Sequence, residues 1–189
     1  PPPLALTSCQ IAAQVQYCAD SERYTNYVSL YEIRYQPLID GGAGGTCSGT
    51  GSRACNCYPS PLRGRIVTTW GIVNSPIKNG HSFYIQQEAA PWHGILVYAS
   101  TGAAVLSAVQ IGDNITITSY VEEYYGVSEL DMSQPGSSWN ITSSGNVVDT
   151  YRVTTGQLGY ECNAGGVALT GIAVQIAGPI QIVGTYSSH

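Results

Sequence analysis

Charge is what this 189-residue chain has least of: charged residues make up 10% of it, against about 25% in ordinary soluble domains. Its seven Lys and Arg are scattered at Arg23, Arg34, Arg53, Arg63, Arg65, Lys78 and Arg152, and only Arg63 and Arg65 lie close together. Affinity for a phosphate backbone grows with the number of phosphates neutralised. A chain of net charge -5 without a cationic cluster is therefore a disfavoured nucleic-acid partner. Phe and Met occur once each, against 22 Gly and 14 Tyr, which argues for turns and strands over long helices. Long hydrophobic runs are also missing: no stretch reaches the roughly 18 apolar residues of a membrane-spanning helix. The Gly-rich run 40–57 (DGGAGGTCSGTGSRACNC) lacks a Gly-Lys-Ser/Thr, so it does not read as a phosphate cradle. No Ser sits in a GxSxG turn.

What the chain does have is 43% hydrophobic residues, which excludes ordinary disorder. Its length suffices for one domain, or one domain and an extension. A folded chain with so few charges has a neutral, hydroxyl-rich surface or hides surface in an assembly.

Six cysteines, Cys9, Cys18, Cys47, Cys55, Cys57 and Cys162, stand among Gly, Ser and Thr, with only His81, His93 and His189 as nitrogen ligands. This pattern predicts disulfides in an oxidising compartment. Cys55-Asn56-Cys57 has the wrong spacing for a metal knuckle, and no cofactor is expected. A Cys9–Cys18 bond and a bond from Cys162 to the 47–57 loop are one choice among 15 pairings. Asn114-Ile115-Thr116 and Asn140-Ile141-Thr142 fit the N-glycosylation pattern, and with the cysteines they predict an extracellular protein. Because the chain starts Pro1-Pro2-Pro3 and its one Met is Met132, it reads as a processed product or an excerpt.

Residues 1–29 read as an extension, with a short helix or a strand over 7–16. Residues 30–147 read as an all-β module carrying the Cys-rich insert 40–57, and 148–189 as a C-terminal strand segment packed on it. Strands are predicted over Ile66–Val73, Ser82–Gln87, Gly94–Ala99 and Asn114–Glu123, with a short helix in Gly102–Gln110. In the fourth strand Ile115, Ile117 and Val121 share one face, and Asn114, Thr116, Thr118 and Tyr120 share the other. A turn at Gly126 sends the chain back through Val127–Leu130. A strand near Ile141, a turn at Ser144–Asn146 and a capped turn at Thr154-Thr155 come next. Val167–Ile176 and Ile180–Tyr186, apolar and poorly alternating, read as strands covered on both faces.

In order, Leu30-Tyr31-Glu32-Ile33, Ser60-Pro61-Leu62-Arg63-Gly64, Val67–Val73, Phe83–Gln86, Gly94–Tyr98, Gly112-Asp113 and Val121–Leu130 resemble the OB-fold modules of secreted nucleases. The resemblance covers about 30–132, and residues 151–183 look like the stretch C-terminal to such a module in the same proteins. It implies an all-β, OB-fold-like small barrel with an N-terminal extension and additional C-terminal strands. In those nucleases hydrolysis belongs to a separate metal-dependent domain, which nothing here matches. The insert at 40–57 splits the opening motif, and Tyr120 stands where the family has a small Gly.

Neighbouring Glu122 and Glu123 face opposite ways on a strand. Glu129 and Asp131 share a face and could serve a Ca²⁺ site or acid/base chemistry; the alternative is a charged, exposed strand edge that discourages pairing. His81 and His93 lack an obvious Asp partner for a triad. Trp92, Tyr120, Tyr124 and Tyr125 could stack on sugars or bases, or be half-buried aromatics of a small barrel. The expected function is a secreted, non-catalytic subunit that joins copies of itself into an extracellular fibre or surface layer, terminal segments adding to a neighbour's sheet. The alternative is an OB-fold binding module for polysaccharide or single-stranded nucleic acid. An enzyme is the reading with least support.

Overall fold

The computed structural model describes residues 27–35, 58–158 and 164–178. All six cysteines, the segment 7–16, the insert 40–57 and the strand expected at 180–186 lie outside the described residues.

The chain forms the expected all-β small barrel. Its strands are β1 (Ile66–Val73), β2 (Ser82–Gln86), β3 (Gly94–Tyr98), β4 (Asn114–Tyr124) and β5 (Val127–Asp131). They close in the order β1-β2-β3-β5-β4 and back to β1, all antiparallel except β3–β5. Three further strands come after the barrel residues: β6 (Ser138–Ser143), beside β4, and β7 (Tyr151–Val153), which pairs in parallel with β8 (Val174–Ile176). Short helices α1 (Leu30–Arg34), α2 (Ala104–Ala108) and α3 (Ala164–Ala168) complete the described chain.

β4 organises the barrel because it is long enough to be shared. One of its edges pairs with β1 along 114–120; the other serves β6 over 114–118 and then β5 over 120–124. Its residues alternate between buried and half-buried up to Glu122, with Ile115, Ile117 and Val121 fully covered. Fully burying an aliphatic side chain is worth about 1.5–3 kcal/mol, so that alternation fixes the register: a slip by one residue would put the same side chains in water. Tyr125 and Gly126, with φ of 47 and 82, form the two-residue turn into β5; positive φ at both positions matches the twist of the flanking strands. Gly71 lets β1 leave β4 for β2, since a Cβ there would sit 3.1 Å from Ile85 Cβ and 3.2 Å from Gln86 O.

The core joins both halves of the sequence: Val67, Val73, Phe83, Ile85, Ile95, Val97, Ile115, Ile117, Val121 and Leu130, together with Leu30 and Ile33 of α1. α1 is set by a capping box. Ser29 Oγ accepts from Glu32 N at 3.2 Å, and the Glu32 carboxylate accepts from Ser29 N at 2.9 Å.

One expectation is corrected. Val167–Ile176 is not a continuous strand: α3 runs to Ala168, a turn comes next with Gly171 at φ 81, and only Val174–Ile176 is extended. The barrel dictates this. Arg34 donates to Val167 O at 2.8 Å and to Thr170 O at 3.4 Å, Trp92 N–H to Ala168 O at 2.6 Å, and Asn74 Nδ2 to Gly171 O at 2.7 Å. A helix end and then a turn present those carbonyls to the barrel; a strand would point alternate ones away.

Candidate functional site

β6 and the outer face it shares with β4 and β1 form the candidate site. β6 reads Ser-Trp-Asn-Ile-Thr-Ser and holds its place through Trp139 and Ile141, which pack against the core from outside. It carries no charge and no Pro. Among the described residues no strand pairs with its far edge. The strand itself carries neither of the usual sequence protections of an edge, Lys or Pro.

Register aligns three side chains across this face. Trp70 of β1 stands opposite Thr116 of β4, and Thr116 stands opposite Asn140 of β6. Directly opposed residues point to the same side, so Trp70, Thr116 and Asn140 form one row on the outside of the sheet. Trp70 is 38% exposed and Asn140 is exposed, whereas Asn114 is half-buried. A shallow depression of about 370 Å³ is lined by Tyr27, Trp70, Asn114, Thr116 and Thr142. Thr142 Oγ1 donates to Asn114 O at 3.0 Å, beside the register shift at Asn114/Ile115. Both glycosylation triplets therefore lie on one face, antiparallel and side by side.

The four candidate stacking residues fall into separate places. Trp92 belongs to a cluster with Tyr35 (5.9 Å, edge-on) and Tyr58 (5.8 Å, edge-on); Tyr31 stacks on Tyr35 at 4.7 Å and meets the His93 ring at 5.3 Å. Trp92 has φ 71, a left-handed conformation uncommon for a bulky residue, and its N–H bond to Ala168 O holds it there. Tyr124 and Tyr125 pack edge-on at 4.5 Å at the β4–β5 turn and are each more than half exposed, not half-buried. Tyr120 is half-buried within β4, its hydroxyl against Gly64. The ring cluster was missed in the sequence because Tyr31, Tyr35 and Trp92 come from distant segments. Its anchor, α1, did leave a signal: Ser29-Leu30-Tyr31-Glu32 is a capping-box pattern.

The acidic residues also stand elsewhere than expected. Glu129 and Asp131 are not on an exposed edge: β5 lies between β3 and β4, and the two residues are 4% and 3% exposed. Glu129 is directly opposite Glu122. Burial, then the charges of Glu122, Asp131 and Glu123, push the Glu129 carboxyl up to about 7. Glu122 is raised as well, by burial and by its hydrogen bond with Asp131. Burial would raise Asp131 too, but bonds from Ser133 and Gln134 outweigh it and hold Asp131 below the ordinary value. Glu123 faces the other way, accepting from Ser60 N and Ser128 Oγ at 2.6 Å each. Burial lowers Arg34 to about 10, against the opposing pull of Glu123 and Tyr84, so it stays charged. Among the described residues no group of three or more His, Cys, Asp and Glu is disposed to hold a metal ion, and no helix is long and apolar enough to cross a membrane. The chain matches no protein-family model, and no curated protein is significantly similar to it.

Proposed function

We propose that this chain is a non-catalytic structural subunit that acts outside the cell by joining copies of itself into a fibre or surface layer. The observation that carries this reading is the uncharged β6 edge, with no strand on its far side among the described residues. An unpaired row of backbone N–H and C=O groups is a template for strand addition. Among the described residues the barrel strands β1–β5 close on one another, and β6 is the end strand of their sheet. The low charge of the chain fits a surface partly covered in an assembly. The cysteines and the two glycosylation triplets support the extracellular setting.

The test is the size distribution of the full chain over a concentration series, by sedimentation velocity and electron microscopy, beside a Ser138→Lys/Ser143→Lys double variant, which leaves the Asn140 triplet intact. Both substituted side chains are exposed, so the variant keeps its fold while placing charges along the edge. Wild type should polymerise and the variant stay monomeric. A second comparison, a chain lacking residues 1–20, separates edge-to-edge pairing of β6 from donation by the N-terminal segment. Wild-type protein that remains monomeric at every concentration overturns the reading.

A second reading, a polysaccharide-binding module, is favoured by the cluster of Tyr31, Tyr35, Tyr58, Trp92 and His93, since partly exposed rings offer stacking surface to sugars. A monomer retained on an insoluble polysaccharide, and released by Trp92→Ala, would establish it in place of the first.

A further inference from the structure

We propose that Asn140, and not Asn114, is the glycan attachment site, and that the first sugars of its glycan lie across Thr116 onto the exposed indole face of Trp70. The inference rests on the extracellular reading above only in requiring export.

Two observations separate the two triplets, and a third concerns the face they share. First, Asn140 is exposed on the outermost strand, while Asn114 is half-buried on β4 with β1 on one side and β6 on the other. A glycan added to the nascent chain must be accommodated in the finished sheet, which costs least at an exposed residue of an edge strand and most at a half-buried one between two paired strands. Second, the register shift at Asn114/Ile115 loosens the β4–β6 ladder at the end where Thr142, the hydroxyl residue of the Asn140 triplet, lies. Thr116, the hydroxyl residue of the other triplet, stands in the unbroken part of the ladder, opposite Asn140.

Third, the outer face that the two triplets share suits a sugar. Across the row Asn140–Thr116–Trp70 the strands are spaced about 4.8 Å apart, so the indole lies about 10 Å from the attachment strand, within reach of a disaccharide. Thr116 and Thr142 offer hydroxyls along that path, and the shallow, uncharged depression they line with Trp70, Tyr27 and Asn114 lies beside Asn140, which is not part of its lining. Sugars present C–H groups on one face, which pack on aromatic rings, and hydroxyls at the rim, which find polar partners. A glycan drawn toward Trp70 leans inward over the sheet and away from the free edge of β6. Modification and edge pairing are then compatible on one strand.

The experiment uses the full chain, exported through a heterologous leader from a eukaryotic host that adds N-glycans. Site occupancy is read by peptide mass spectrometry in wild type, Asn140→Gln and Asn114→Gln. Asn140 should be occupied and Asn114 empty, with Asn140→Gln abolishing modification and Asn114→Gln leaving it intact. Thermal unfolding is then measured before and after enzymatic glycan removal, in wild type and in Trp70→Ala. The glycan should raise Tm by about 3 °C in wild type and leave Trp70→Ala unchanged. Occupancy of Asn114, of both sites or of neither overturns the assignment. An equal glycan effect with and without Trp70 overturns the stacking contact. Because the leader supplies export, a chain that is intracellular in nature would refute the extracellular reading and leave these results as they are.

Discussion

Replacing Glu129 by Gln should stabilise the protein in mild alkali and leave it nearly unchanged in acid. Glu129 is covered nearly as well as Asp131, and it lies opposite Glu122 with no hydrogen bond to hold its charge among the described residues. Moving a carboxyl from 4.5 to about 7 corresponds to about 3 kcal/mol, at about 1.36 kcal/mol per pH unit. Local relaxation and the effective dielectric of about 20 that holds even at buried sites reduce this to about 1.5 kcal/mol. The sign depends on which state holds the proton. Below about pH 4.5 Glu129 is protonated whether the chain is folded or unfolded, and nothing is lost. Between about 4.5 and 7 the unfolded chain ionises while the folded one keeps its proton, so stability falls as pH rises. Above about 7 the folded protein carries the full cost of a buried charge among like charges. Gln keeps the shape and removes the titration.

The assay is urea unfolding of wild type and Glu129→Gln at fixed ionic strength from about pH 4.5 to 8.5, with Glu88→Gln, an exposed turn substitution, as control. The two proteins should agree within error near the acid end. The variant should be more stable by about 1.5 kcal/mol at the alkaline end, or by about 3–6 °C in Tm. Asp131, held below its ordinary value, works the other way: its contribution is lost only as pH falls through the acid range below about 4, outside the window used. A difference that does not vary with pH, or a wild type that gains on Gln as pH rises, would show that Glu129 is ionised and satisfied in the folded protein.

Gly94→Ala should cost about 2–4 kcal/mol in thermal unfolding, because its Cβ would fall on the backbone carbonyl of Gly171, which cannot yield as a side chain would. Gly102→Ala is the contrast: its φ of 84 is left-handed but the space around it is open, so only about 1 kcal/mol should be lost. Arg34→Lys should cost about 2 kcal/mol. An ammonium cannot span the carbonyls of Gly94, Val167 and Thr170 that the guanidinium reaches at 3.1, 2.8 and 3.4 Å. Hydrogen exchange should then show lost protection in 164–178 before the barrel strands.

How much of this was legible depends on where the determining contacts lie in the sequence. β1 agrees to the residue and β2, β3 and β4 to within one, because β-branched and aromatic runs bounded by turns are local signals, and in β1 and β4 burial alternates as well. The run 167–176 was misread because its conformation is decided by Arg34, Asn74 and Trp92, far away in sequence. The buried setting of Glu129 and Asp131 was hidden for a related reason. Nothing in Val127–Asp131 announces a parallel partner, yet pairing with β3 turns an apparent edge into an interior strand. The row Trp70–Thr116–Asn140 needed two registers at once, and a sequence supplies neither.

Those two registers also make the proposed assembly edge and the proposed modified residue compatible on one strand. A β-strand presents its hydrogen-bonding groups in the plane of the sheet and its side chains perpendicular to it. On β6 the plane leads outward to a free edge, the inner side chains Trp139 and Ile141 hold the strand to the core, and Asn140 points to the outer face. Each direction has its own task, and no residue needs to serve two. Disturbing Trp139 should therefore impair edge pairing and modification alike, because both depend on the strand being held. Charges at Ser138 and Ser143, which lie outside the Asn140 triplet, should impair pairing alone, and loss of Trp70 should alter only the contact of the glycan.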